Sequence, residues 1–323
     1  MESLENTARA AKNNPFLPQG DRIVCAPDKA KLRLQLVGLG DVGGSLLTGL
    51  VLLGGGLIAD IGIYDPDACR ISRYEQEMNQ ILPPAPAPTP FVYPLAYQDL
   101  FCQCDGMIFT ASAGVPPVGS GITDVRMYQL EKNQAILAPY GKLAAETGFT
   151  GWFFQVSDPV DLLCNVLKNA GVPKETIIGC GLGVMLARAN YCARKHGITD
   201  FFTKGRVFGP HGIGLIVAND TGGGYDDRLS QALTRETLAA NLSLRETGYK
   251  PYIAPGLSSG CITILKALAG DWFDGSVYMD GVFFGRRVRL TPSGIQGEPL
   301  PSEPALTRRI QETLALLSRQ MRG

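Results

Sequence analysis

From residue 31 onward the chain alternates short apolar runs with amphipathic stretches. Leu32 to Val37 and Ile58 to Tyr64 are strand-length runs of aliphatic residues, and Val42 to Leu53 between them carries a helical pattern. Strand, helix, strand in that order implies a parallel pair joined by a right-handed crossover. Ile71 to Leu82 predicts a helix stopped by Pro83, after which Pro84, Pro86, Pro88 and Pro90 enforce an extended surface connection. Further strands are expected at Gly106 to Thr110 and Gly151 to Val156, separated by a helix around Asp124 to Tyr140. This alternation predicts an α/β fold with a doubly wound parallel sheet of the Rossmann type.

After Ile177 the pattern changes. A long helix over about Val184 to Lys195 is followed by a strand at Val207, two helical stretches, and strand-like runs at Val277 to Phe284 and Val288 to Leu290. Mixed order of this kind predicts a partly antiparallel α+β domain. Residues 1–30 carry no sustained apolar period and read as an N-terminal arm. The expected division is therefore an arm (1–30), a dinucleotide-binding domain (31–175) and a substrate domain (176–323).

Thirty basic residues balance thirty acidic ones over 323 residues, so no net field gathers nucleic acid or anionic membrane, and a small-molecule partner is expected. The apolar stretch Leu46 to Ala59 falls short of the ~20 residues that a membrane span requires. The triple glycine Gly54, Gly55 and Gly56 reads instead as the turn after a buried helix. Eight scattered cysteines and no basic-then-apolar leader suit reduced thiols in the cytoplasm. Cys102 and Cys104 form the only close pair, and with two histidines in the chain no metal site is expected.

Candidate chemistry starts at Gly38, Gly40 and Gly43, a G-x-G-x-x-G turn placed between a predicted strand and a predicted helix. The first glycine permits the tight turn, the second lets backbone approach a pyrophosphate, and the third lets helix pack on strand. Asp41 and Val42 open the helix whose unpaired N–H groups face the phosphates. Asp65 ends the second strand, where a carboxylate can accept ribose hydroxyls and repel a 2′-phosphate. That favours NAD as cofactor, with Arg70 and Arg73 close enough to bear on the choice.

With the glycine turn stand four further blocks: TASAG at 110–114, VSDPVDLL at 156–163, IIGCGLGVMLAR at 177–188 and VFGPHG at 207–212. In order and spacing they resemble the lactate and malate dehydrogenase family. The resemblance implies hydride transfer between NAD and C2 of a small 2-oxo or 2-hydroxy acid, in a homodimer or homotetramer. It implies His211 as the acid/base residue, Arg188 as the carboxylate anchor and Arg126 as the mobile-loop arginine that polarises the substrate carbonyl. Ala111 and Ser112, in the TASAG block, fall on the cofactor side of the site.

The chain departs from the family at two positions. An aspartate three residues before the anchoring arginine normally partners the histidine; Met185 stands there. The family's asparagine in VSNPVD is Asp158 here, a position that the resemblance puts close to the histidine and, on the cofactor side, to the nicotinamide ribose; Asp158 either supplies the missing carboxylate to His211 or forms an Asx turn before Pro159. A dicarboxylate would call for an extra arginine in the loop before Arg126, yet Val115 to Val125 has no basic residue, which favours a lactate-like substrate over a malate-like one. Two other readings stand beside the dehydrogenase: an NAD-binding sensor or assembly partner that lost the dyad, and an NAD-dependent glycosidase with Cys180 and His211 as metal ligands.

Overall fold

A computed structural model describes residues 31–83, 88–114 and 125–320, without the side chains of residues 125–127. The first half runs β1 (Leu32–Val37), α1 (Asp41–Leu53), β2 (Ile58–Tyr64), α2 (Ala68–Asn79), β3 (Phe91–Pro94), β4 (Gly106–Phe109), α3 (Val125–Glu146), β5 (Trp152–Gln155), α4 (Val160–Asn169) and β6 (Ile177–Gly179). All of these strands pair in parallel, in the order β6-β5-β4-β1-β2-β3. Helices cover the sheet because its strands are apolar on both faces: Leu34, Leu36, Ile61, Ile108 and Phe154 are fully buried.

The second half runs α5 (Leu182–Lys195), α6 (Phe201–Lys204), the hairpin β7 (Arg206–Phe208) and β8 (Ile216–Ala218), and α7 (Asp227–Arg245). A π-helical turn at Pro255–Ile262 continues into α8 (Thr263–Leu268), followed by β9 (Phe273–Met279), β10 (Val282–Thr291), β11 (Gly294–Gly297) and α9 (Pro304–Gln320). The last three strands are antiparallel and extend the parallel sheet, through the pair Gly179–Ser276, to nine strands. The two halves also meet through α1, which lies on the π-helical turn. A methyl group at Gly256 or Gly260 would come within 2.7 Å of Ser45 or 2.4 Å of Leu46, so this contact depends on glycine.

Four local expectations are corrected. The helix read as Ile71 to Leu82 spans Ala68–Asn79, because Asp67 caps its first turn by accepting the Cys69 and Arg70 N–H groups. The strand read as Val277 to Phe284 is broken by a tight turn at Asp280 and Gly281, both at positive φ, so β9 and β10 form a hairpin. Edge strand β3 follows directly on the proline run, and Pro94 is tolerated because one side of that strand is unpaired. The C-terminal helix α9, with Leu306, Ile310, Thr313 and Leu317 on its buried face, is an element the pattern analysis left out. The expected arm and residues 115–124 lie outside the described residues. No helix among those described is long and apolar enough to cross a membrane.

Candidate active site

The glycine turn joins β1 to α1. Gly38 has φ +96°, and a side chain there would press within 2.5 Å of the Ala111 backbone; one at Gly43 would meet the Gly38 carbonyl at 2.0 Å. Gly40 differs from both. A Cβ added there meets nothing within 4 Å, and Gly40 caps α1 without any side chain spent on the helix's free N–H groups. An open approach to uncapped N–H donors is what a pyrophosphate requires, so these residues fit a dinucleotide.

Asp65, almost fully buried, accepts the Leu39 N–H at 2.8 Å and the Asp67 N–H at 3.0 Å, and Arg70 lies 3.5 Å from it. The carboxylate thus braces the glycine turn from the end of β2. Asp41 is exposed at the first turn of α1, and Val42 packs against the core beside it. Ala111 is half-buried over Gly38, and the Ser112 hydroxyl pairs with the Asn133 side chain at 3.1–3.3 Å.

The second group of residues gathers at the turn that follows β5, about the segment Asp158 to Asp161 that leads into α4. His211, in the loop between β7 and β8, places Nδ1 2.8 Å from Asp158 Oδ1. Its backbone N–H donates to Asp161 Oδ2 at 3.1 Å, and the Ser276 hydroxyl on β9 donates to the other oxygen of Asp161. His211 is therefore held by its ring and by its backbone, both from one stretch of four residues. Gly181 makes room for it, since a Cβ there would sit 2.8 Å from His211 Cβ.

Arg188 projects from α5 and is half-buried. Burial pushes its guanidinium below the ordinary arginine value, and the nearby Asp158 carboxylate pulls the other way. Arg188 has the charge and shape to grip a carboxylate bidentately. Arg126 falls in the first turn of α3, but its side chain is not among those described.

Met185 is 3% exposed, in an apolar cluster with Leu182, Ala189, Cys192 and Phe201. A carboxylate could not ionise cheaply in that setting. Two positioning residues escaped the sequence reading. Asp161 looks like an ordinary first-turn acid of α4, and nothing local announces a bond to residue 211. Asn133, 1% exposed on α3, donates to the Asp158 carbonyl at 2.6 Å and accepts the Ala113 N–H at 2.8 Å, tying the TASAG loop to the Asp158 turn.

Among the described residues no group of three or more His, Cys, Asp or Glu is placed to hold a metal ion. Cys180 is buried, and burial pushes its thiol well above the ordinary range, so it is a poor thiolate ligand. The other histidine, His196, pairs with Glu236 at 2.8 Å at the far end of α5.

No family model matches the chain. Among curated proteins it is 28% identical to L-lactate dehydrogenase 1 of Bacillus cereus over 191 residues, 59% of this chain and 55% of that one. The match therefore spans about half the length of that relative. With L-lactate dehydrogenase 2 of Staphylococcus aureus the identity is 26% over 273 residues, 79% of this chain and 82% of the other. Among solved structures, a lactate dehydrogenase from a deep-sea metagenome library superposes with a TM-score of 0.73 at 18% identity, covering 90% of this chain and 98% of that one. The malate dehydrogenase of Aeropyrum pernix does so with the same score and identity, covering 90% and 97%. The chain is thus similar in sequence to lactate dehydrogenases and shares its fold with lactate and malate dehydrogenases.

Proposed function

We propose that the chain is an NAD-dependent oxidoreductase that interconverts a small 2-hydroxy acid and its 2-oxo acid. The observation that carries this reading is the 2.8 Å pairing of His211 Nδ1 with Asp158 Oδ1. It supplies from the Asp158 turn the carboxylate that Met185 cannot provide. With Nδ1 committed to Asp158, Nε2 is the nitrogen left to exchange a proton with the substrate oxygen. Arg188 holds the substrate carboxylate, which fixes C2 relative to that nitrogen. Arg126 is assigned to the carbonyl oxygen from its position at the start of α3.

A bound nicotinamide would supply the hydride to C2 in reduction and accept it in oxidation. His211 would give its Nε2 proton to the carbonyl oxygen in reduction and take it back from the hydroxyl in oxidation. Gly38, Gly40, Asp41, Val42, Gly43, Asp65, Ala111 and Ser112 form the side of the cleft assigned to NAD. Asp65 favours NAD over NADP because its carboxylate would repel a 2′-phosphate. The monocarboxylic, lactate-like preference rests only on the lack of basic residues in Val115 to Val125.

The test is oxidation of NADH by the purified protein with a panel of 2-oxo acids, pyruvate and oxaloacetate included, beside a titration of NADH binding. Turnover with one or more of these acids is expected. Tight NADH binding with no turnover on any of them would instead favour the sensor or assembly-partner reading.

The double grip on His211 makes a second prediction. Asp161→Ala removes the acceptor for the His211 N–H and should lower kcat roughly tenfold to a hundredfold, as loosened positioning of a reacting group does. The KM for the acid should change less, because Arg188 is untouched. Asp161→Asn keeps an oxygen for the His211 N–H, and its amide can donate to Ser276 Oγ, so it should recover most of the lost kcat. Equal kcat in the alanine variant and the parent would remove Asp161 from the positioning role.

A further inference from the structure

Cys102 and Cys104, the one close pair of cysteines in the sequence, sit in the turn that leads into β4. Both are thiols; Cys102 is exposed and Cys104 half-buried. The residues on either side of Cys102 lie in the left-handed region, Phe101 at φ +67° and Gln103 at φ +49°. Neither is glycine, so each stands against its own backbone preference and needs its surroundings to keep it there.

Two residues of β1 supply most of those surroundings. Gln35, buried on that strand, accepts the Phe101 N–H at 2.7 Å and donates to the Cys102 carbonyl at 3.1 Å. The Arg33 guanidinium donates to Gln103 Oε1 at 3.1 Å, and the Arg33 N–H donates to Asp105 Oδ2 at 2.8 Å. The Asp105 N–H returns to the Arg33 carbonyl at 2.8 Å, and Asp60 pairs with the guanidinium at 3.1 Å. The Phe101 ring is buried against Phe149 and Phe153. The turn is therefore pinned before, between and after its two cysteines.

A left-handed residue between two others mirrors the geometry of an α-helix and sets their Cα atoms about 5.4 Å apart. Disulfides most often span about 5.5–6 Å, whereas an extended residue would give about 6.6 Å, near the upper limit. We propose that Cys102 and Cys104 are a dithiol site for thiol–disulfide exchange, oxidised to an internal disulfide by small disulfides of the glutathione class. The thiolate of the exposed Cys102 attacks one sulfur of the small disulfide, whose S–S bond breaks and releases one thiol. Cys104 then gives up its proton and attacks the Cys102 sulfur of the mixed disulfide. The Cys102–Cys104 bond forms and the second small thiol leaves. The pair loses two electrons and two protons, and the small disulfide gains them as two thiols. Arg33 is near the start of β1 and the glycine turn follows its end, so this site lies away from the cofactor cleft and does not depend on the dehydrogenase reading.

Trypsin releases both cysteines, and no other, in the peptide 74–126. After the folded protein is treated with glutathione disulfide, that peptide should be lighter by two hydrogen atoms and carry no glutathione. In Cys104→Ser the reaction should stop with one glutathione on Cys102. A parent peptide that keeps its glutathione as the serine variant does, stays unreacted, or is joined to another cysteine's peptide would overturn the site. The second measurement needs the parent alone. It is the balance of glutathione and glutathione disulfide at which half of the pair is oxidised, read on the same peptide, in the folded protein and in urea. The fold supplies in advance part of the backbone order that ring closure needs, and fixing one residue is worth about tenfold. The folded pair should therefore resist reduction about tenfold more than the unfolded one. Equal balances, or a folded pair that is the easier to reduce, would sink the inference. Neither measurement requires turnover, so a protein that reduces no 2-oxo acid can still pass both.

Discussion

Asp158→Asn should cost about 10³–10⁴ in kcat, the scale set by removing the carboxylate partner of a catalytic histidine in a serine protease. The substitution is nearly isosteric. The asparagine keeps an oxygen that can face His211 Nδ1, and the Asp158 carbonyl that receives Asn133 is untouched. What disappears is the negative charge that stabilises an imidazolium while His211 holds a proton. The loss should therefore fall on kcat, with the melting temperature close to that of the parent. An activity within a factor of two of the parent would sink the idea that Asp158 does the work of the missing dyad aspartate. The apolar surroundings of Met185 sharpen the point. An aspartate placed at that position would lie in the cluster around Leu182 and Phe201 and would disturb its packing.

The parts of the fold that could be read in advance are those where one period dominates a whole element. β1, α1 and β2 emerged with the bounds that the apolar runs suggested, because each buries a face that its sequence marks continuously. The β9–β10 hairpin was misread for the same reason: Met279 and Val282 are apolar on both sides of the turn, and only Asp280–Gly281, a turn dipeptide, signals the break. At the site, Asp158 was legible because it departs from a family pattern at a position beside the histidine. Asp161 and Asn133 were not, since each acts on a partner that only the fold brings near. The His211–Asp161 bond spans 50 residues and the Ser276–Asp161 bond 115, and no local pattern carries such pairings.

The largest expected change in stability comes from Asp274 on β9. Its carboxyl is buried, with Oδ1 unpartnered among the described residues. Burial pushes it up to about 6, against Arg287, Lys266 and Arg206, which favour ionisation. Arg287 is its cross-strand neighbour on β10, while Arg206 is already engaged by Glu298 through two bonds of 2.7 and 3.0 Å. Because the folded value exceeds the unfolded one, the neutral acid is the form that folding prefers. Its contribution is complete below the ordinary value of 3.8 and is lost as pH rises through about 6. At 1.36 kcal/mol for each unit, the term is about 3 kcal/mol at most. Asp274→Asn is neutral at every pH and should escape it. Urea unfolding of parent and variant between pH 4 and pH 8 should give a stability difference that grows in the variant's favour up to about pH 6 and then levels off. A difference that moves the other way with pH would mean that the ionised carboxylate is worth more to Arg287 and Lys266 than its burial costs.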